Sequence, residues 1–117
     1  MELTITPETI QNLRSLQTEK KFIEEGLYSG APNENIRARC ELWINALLES
    51  LISNIEKNPQ KDFVLNEFMN ALANFDEEDT EEKEQACEYL EQIMTILDIE
   101  SSDGKINNWL YGFDPNE

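Results

Sequence analysis

The chain has 117 residues, with 25 Asp or Glu, nine Lys or Arg and no His, a net charge of −16. That length fits one domain spanning residues 1–117, able to bury roughly two-thirds of the surface its unfolded chain exposes. The missing His removes the usual neutral-pH general base and the commonest metal ligand, and the charge sign opposes nucleic acid and anionic membranes.

The elements read as helices in chain order. Thr6 caps the first, Pro7 suits its opening position, Glu8 complements the dipole, and Ile10, Leu13 and Leu16 share a face. A short second helix is expected over residues 19–25, with Phe22 and Ile23 inward and Gly26 ending it. Residues 26–32, holding two glycines and a proline, make a loop.

The longest helix is expected over residues 33–57, about 37 Å at ~1.5 Å per residue. Ile36, Cys40, Trp43, Ile44, Leu47, Leu48, Leu51, Ile52 and Ile55 recur at steps of three and four, and Asn58-Pro59 stops it. A third helix covers 60–74, with Phe63, Val64, Phe68, Met69, Leu72 and Phe75 inward. Asp76-Glu77-Glu78-Asp79 forms the turn. The fourth covers 80–97 and buries Ala86, Cys87, Leu90, Ile93, Met94 and Leu97. Asp79 and Glu82 have the spacing of a capping box. A last short helix over 103–111 turns Ile106, Trp109 and Leu110 inward, with Ser101 or Ser102 as cap. Gly112 suits the left-handed closing position and lets Phe113 fold back. The fold class is all-α: a single compact helical bundle of three to four main helices plus short ones.

The charge is uneven. Residues 1–58 carry six bases and nine acids (−3), and residues 59–117 three bases and sixteen acids (−13). Glu77, Glu81, Glu84, Glu88 and Glu91 fall on one helical face, roughly opposite Ala86, Leu90 and Ile93, with Lys83 off the stripe. Like charges at that spacing repel by a few tenths of a kcal/mol per pair. The face is either simply solvated or a docking surface for a basic protein. In the second case Asp76, Glu77, Glu78, Asp79, Glu81, Glu84, Glu88 and Glu91 meet the partner. Tyr28, Trp109, Tyr111 and Phe113 are candidate aromatic anchors, against the plainer reading that they seal the bundle.

No chemistry stands out. Cys40 and Cys87 lie on apolar stripes without metal-ligand spacing or an activating His, and read as buried free thiols. The Glu stripe points away from the core, against a carboxylate-bridged metal centre. Aligning Gly104 with the glycine of a calcium loop puts Ile99 and Leu110 at positions that demand carboxylates. No phosphate-binding glycine loop and no nucleophile elbow occurs. The expectation is a protein that is not an enzyme, with no cofactor and no metal. Without a signal-like start or an apolar run long enough for a span, it is expected to be cytoplasmic.

Glu100-Ser101-Ser102-Asp103-Gly104, then Asn108-Trp109-Leu110-Tyr111-Gly112-Phe113-Asp114, resembles the C-terminal signature of a family of small bacterial helical proteins classed as a domain of unknown function. Lys21-Phe22-Ile23 and Gly26-Leu27-Tyr28-Ser29-Gly30 are similar to that family too. The resemblance implies a helical fold and a bacterial source, and assigns no catalytic residues. In size and charge the chain also resembles immunity proteins of bacterial toxin systems. The functional expectation is a non-catalytic inhibitor that neutralises a basic toxin, such as a nuclease, by stoichiometric binding. The alternatives are a nucleic-acid mimic that blocks a DNA-binding protein, and a structural adaptor or homodimer with no basic partner.

Overall fold

A computed structural model describes residues 2–112. Five α-helices form among the described residues: α1 (Pro7–Thr18), α2 (Glu34–Asn54), α3 (Lys61–Leu72), α4 (Thr80–Ile96) and α5 (Lys105–Tyr111), with a 3-10 turn Ala73–Phe75 extending α3. No strand occurs among the described residues, only two isolated bridges, Glu2 to Gln60 and Glu25 to Tyr28. The all-α expectation holds. Among the described residues no helix is long and apolar enough to cross a membrane.

The caps explain where helices begin. Thr6 and Thr9 bond each other's backbone N–H groups at 3.1 Å, so the two threonines form a capping box at α1. Asn33 Oδ1 accepts from the Ile36 N–H at 2.9 Å to open α2. At α5, Gly104 takes the cap position with a φ of 81°, and Ser102 Oγ accepts from the Ile106 N–H at 3.3 Å. Gly112 closes α5 in the left-handed region, as its position suggested.

Asp79 is the N-cap residue of α4 but makes no side-chain cap bond. The Asp79–Glu82 capping box expected from spacing is therefore absent, because Glu82 turns inward instead. Helix α4 ends in a Schellman motif: Ile99 N–H reaches Met94 O at 2.8 Å, Asp98 N–H reaches Thr95 O at 3.2 Å, and Asp98 adopts a φ of 57°.

Helix α2 is the hub. It packs on α1, α3 and α4, and Cys40, Ile44, Leu47, Leu48, Leu51 and Ile52 line its buried side. One apolar core joins it to Leu13 and Leu16 of α1, Val64, Leu65, Phe68 and Leu72 of α3, and Ala86, Leu90 and Ile93 of α4. Trp43 packs edge-to-face on Phe75 with ring centroids 5.0 Å apart. Leu3 N–H donates to Pro59 O, tying the start of the chain to the α2–α3 corner.

The short helix expected over residues 19–25 does not form. Residues 19–32 make an extended strap across α4. Phe22 is fully buried, but its φ of 62° lies in the left-handed region, which interrupts any helix. Ile23, expected inward, is exposed. The reason lies with Lys21, which the strap folds back into the protein. Its ammonium caps the end of α1, donating to Leu16 O, to Gln17 O at 3.3 Å and to Glu19 O at 2.9 Å. All three ammonium donors are thus satisfied at the negative end of the helix dipole. Burial still lowers the Lys21 pKa below its ordinary value, with Glu41 and Glu19 pulling the other way. Glu41 Oε1 accepts from the Lys21 N–H at 2.8 Å, and Arg37 donates to Lys21 O at 3.1 Å.

Candidate functional site

The strap doubles back at residues 25–28. Glu25 and Tyr28 exchange both backbone bonds at 2.9 Å, leaving Gly26 and Leu27 as a two-residue hairpin tip. Gly26 supplies the positive φ of 58° that the first tip position of such a turn demands. Leu27 projects from the tip fully exposed, an uncommon place for a large apolar side chain.

Between this hairpin and α4 lies a cleft of about 530 Å³. Glu25, Gly26, Leu27 and Tyr28 form one wall, and Glu81, Glu84, Gln85 and Glu88 the other. Steps of three, one and three along α4 bring those four to the same side of the helix. Four carboxylates and one aliphatic side chain therefore face the opening, and no lining residue is cationic. The volume falls within the range of ligand-sized clefts.

Beneath the cleft sits a buried polar connection. Tyr28 Oη donates to Glu82 Oε2 at 2.9 Å, and Glu82 is only 2% exposed. Burial raises the Glu82 pKa above the usual carboxylate value, with Asp79 and Glu81 adding repulsion and the Tyr28 bond opposing. The Tyr28 hydroxyl is itself pushed up, first by burial and then by its bond to Glu82.

The residues anticipated from sequence separate into groups. Glu81, Glu84, Glu88 and Tyr28 come together in the cleft. Glu91 lies further along α4, in a smaller depression of about 260 Å³ that it shares with Glu100. Glu77 and Asp79 are exposed in the α3–α4 turn. Glu78 is committed to the fold: Arg39 grips it with two bonds of 2.7 and 2.8 Å, and its side chain is largely covered. Asp76 accepts from Trp109 Nε1 at 3.2 Å, and the Lys83 ammonium stands 5.9 Å over the same indole. Trp109 thus seals the α4–α5 seam, away from the cleft. Tyr111 is exposed at the end of α5, and Phe113 lies outside the described residues. Sequence reasoning missed Glu25 and Leu27 as cleft residues and Glu82 as a buried acid. The Glu25-Gly26-Leu27-Tyr28 order, with glycine first in a two-residue tip, carries a hairpin signal where only a helix end and a loop were expected.

Cys40 and Cys87 are free and buried, as expected. Burial pushes both thiols up to about 12, which keeps them protonated and unreactive at neutral pH. Among the described residues no group of three or more His, Cys, Asp or Glu is arranged to hold a metal ion.

The fold is a small helical bundle with an acidic hairpin-and-helix cleft. The family described as Domain of unknown function (DUF4844) matches residues 4–114, and the chain belongs to it. The crystal structure of a DUF3571 family protein from Acinetobacter baumannii AYE is similar, with a TM-score of 0.81 and 28% sequence identity. That similarity covers 90% of this chain and 89% of the other. No curated protein matches the chain. The resemblance carried by the Glu100–Asp114 signature, to a small helical domain of unknown function, is therefore met. Neither match extends the likeness to toxin-immunity proteins.

Proposed function

We propose that the protein is a non-catalytic binding module that receives a basic protein partner at the acidic cleft between its hairpin and α4. Its most concrete form is an immunity protein that neutralises a basic bacterial toxin, such as a nuclease, by stoichiometric binding. The observation that carries this reading is the cleft itself. Glu25, Glu81, Glu84 and Glu88 surround it without a neighbouring cation. Glu78, by contrast, is paired with Arg39, and Asp76 is engaged by the Trp109 indole N–H. Uncompensated like charge costs stability, so a surface that keeps it is suited to attracting opposite charge. The mimic of nucleic acid is less well supported, because the free carboxylates gather on one face rather than along a phosphate-spaced track.

The test is a pull-down at low salt from the native host, followed by association kinetics with the protein recovered. Glu84→Lys with Glu88→Lys should slow association at least about tenfold, and the effect should shrink as salt rises. Recovery of no basic protein, or an unchanged on-rate at low salt, would overturn the reading.

A further inference from the structure

Leu27 stands at the hairpin tip with its whole side chain in solvent, and it is the one aliphatic side chain lining the acidic cleft. Ile23 on the same strap is exposed too. The strap thus carries two of the four large apolar side chains left exposed among the described residues, a concentration that the packing of the bundle does not require.

The strap is fastened to the bundle along its length, so this exposure is held in place. Glu41 and Arg37 bind the Lys21 backbone, Tyr89 Oη accepts from the Phe22 N–H at 2.9 Å, and the Ala31 N–H closes back on Phe22 O at 3.0 Å. The Phe22 and Tyr28 rings meet edge-to-face with centroids 6.5 Å apart. The two arms approach so closely at Gly30 that a Cβ there would stand 3.1 Å from the Glu24 nitrogen. A tip supported in this way presents Leu27 at a fixed place, which lowers the ordering cost when another molecule covers it.

The wall opposite has a helical period. Glu81, Glu84 and Glu88 recur at steps of three and four, about 4.5 Å and about 6 Å along the axis of α4. A second helix laid beside α4 offers side chains at the same two steps, whereas one face of an extended chain repeats every ~6.6 Å. No lining residue is cationic, so the complementary stripe is Lys or Arg.

We propose that the hairpin and α4 together receive a basic amphipathic helix of the partner, with Leu27 as the apolar anchor. Lys or Arg on that helix meet Glu81, Glu84 and Glu88, and apolar side chains beside them bury Leu27. The proposal rests on the reading of the cleft as a receptor for a basic protein, and divides the work within it. The carboxylates set the rate of approach and its salt dependence. Leu27 slows departure, since covering it removes apolar area from water and needs no opposite charge.

Two synthetic helical peptides are the probes. Both carry Lys at alternating steps of three and four; one has Leu beside the Lys stripe and the other has Gln. Titrated by fluorescence anisotropy at low salt, the full chain should bind the Leu peptide at least about tenfold more tightly than the Gln peptide. Leu27→Ser, which disturbs no internal contact, should abolish that preference and leave the affinity for the Gln peptide unchanged. Glu84→Lys with Glu88→Lys should weaken both peptides. A preference that survives Leu27→Ser would overturn the anchor while leaving the acidic cleft standing. Binding indifferent to the charge reversal, or no binding of either peptide, would overturn the cleft reading and the helix site with it. In sedimentation the free protein should be a monomer. A dimer dispersed by Leu27→Ser would make a second copy the occupant and overturn the proposal.

Discussion

The hydroxyl of Tyr89, on α4, accepts the backbone N–H of Phe22 at 2.9 Å, from 67 positions further along the chain. The two rings also meet edge-to-face with centroids 5.1 Å apart, and Phe22 stacks on Phe75 at 5.9 Å. An aromatic residue held at a φ of 62° carries backbone strain of roughly 1–3 kcal/mol. Tyr89 supports the Phe22 backbone from outside the strap, beside the Phe75 ring.

Tyr89→Phe keeps the ring and removes the acceptor. The buried Phe22 N–H then loses its partner, at a cost of about 1–3 kcal/mol. Thermal unfolding should fall by about 4 °C for each kcal/mol, with the Phe22 amide losing protection. A Tm within error of wild type would show that the hydroxyl is not the support.

Lys21→Met preserves much of the buried stem but removes the three ammonium donors. Leu16, Gln17 and Glu19 carbonyls lose their common partner at the end of α1. Stability should drop by about 1–3 kcal/mol in urea unfolding, and Lys21→Arg, with a larger planar head, should not restore it. An unchanged midpoint for Lys21→Met would mean water replaces the ammonium without cost.

Asp98→Gly should act in the opposite direction. Asp98 takes the left-handed position of a Schellman motif, and its charge sits at the negative end of α4. Glycine removes both penalties, for a gain of about 0.5–1 kcal/mol. The urea midpoint should rise with an unchanged slope. Asp98→Ala, which keeps the Cβ, should gain less.

Alkaline pH should loosen the fold through its thiols. The folded-state values of Cys40 and Cys87, about 12, lie above the ordinary 9.0. Between those limits the folded chain retains protons that the unfolded chain has released, so stability falls as pH rises through the window. Lys21 works against this, because its folded value lies below 10.5 and rising pH relieves its burial. The Cys40→Ala, Cys87→Ala double variant isolates the thiol contribution. Its stability should decline less steeply than wild type above about pH 9, and equal slopes would exclude the thiols as the cause.

Helices α2, α3 and α4 were legible because each repeats its apolar residues every three or four positions over at least three turns. Such local spacing carries its own instruction. The strap did not have that property. Phe22 and Ile23 have the composition of a helical face, but what decides their conformation comes from Tyr89, Arg37 and Glu41, far along the chain. The acidic stripe was half legible for the same reason. Spacing put Glu81, Glu84 and Glu88 on one side of α4, whereas the engagement of Glu78 by Arg39 and of Glu82 by Tyr28 depends on tertiary packing.

The two tryptophans sit in contrasting settings, which makes the protein its own optical instrument. Trp43 packs on Phe75 against the core, and Trp109 lies at the α4–α5 seam between a carboxylate and an ammonium. Emission from Trp109 responds to the electric field around Asp76 and Lys83, while Trp43 follows the integrity of the interior. Replacing Trp43 with Phe leaves a single fluorophore at the charged end of the bundle. Anything cationic that arrives near the start of α4 would then be read without attaching a dye.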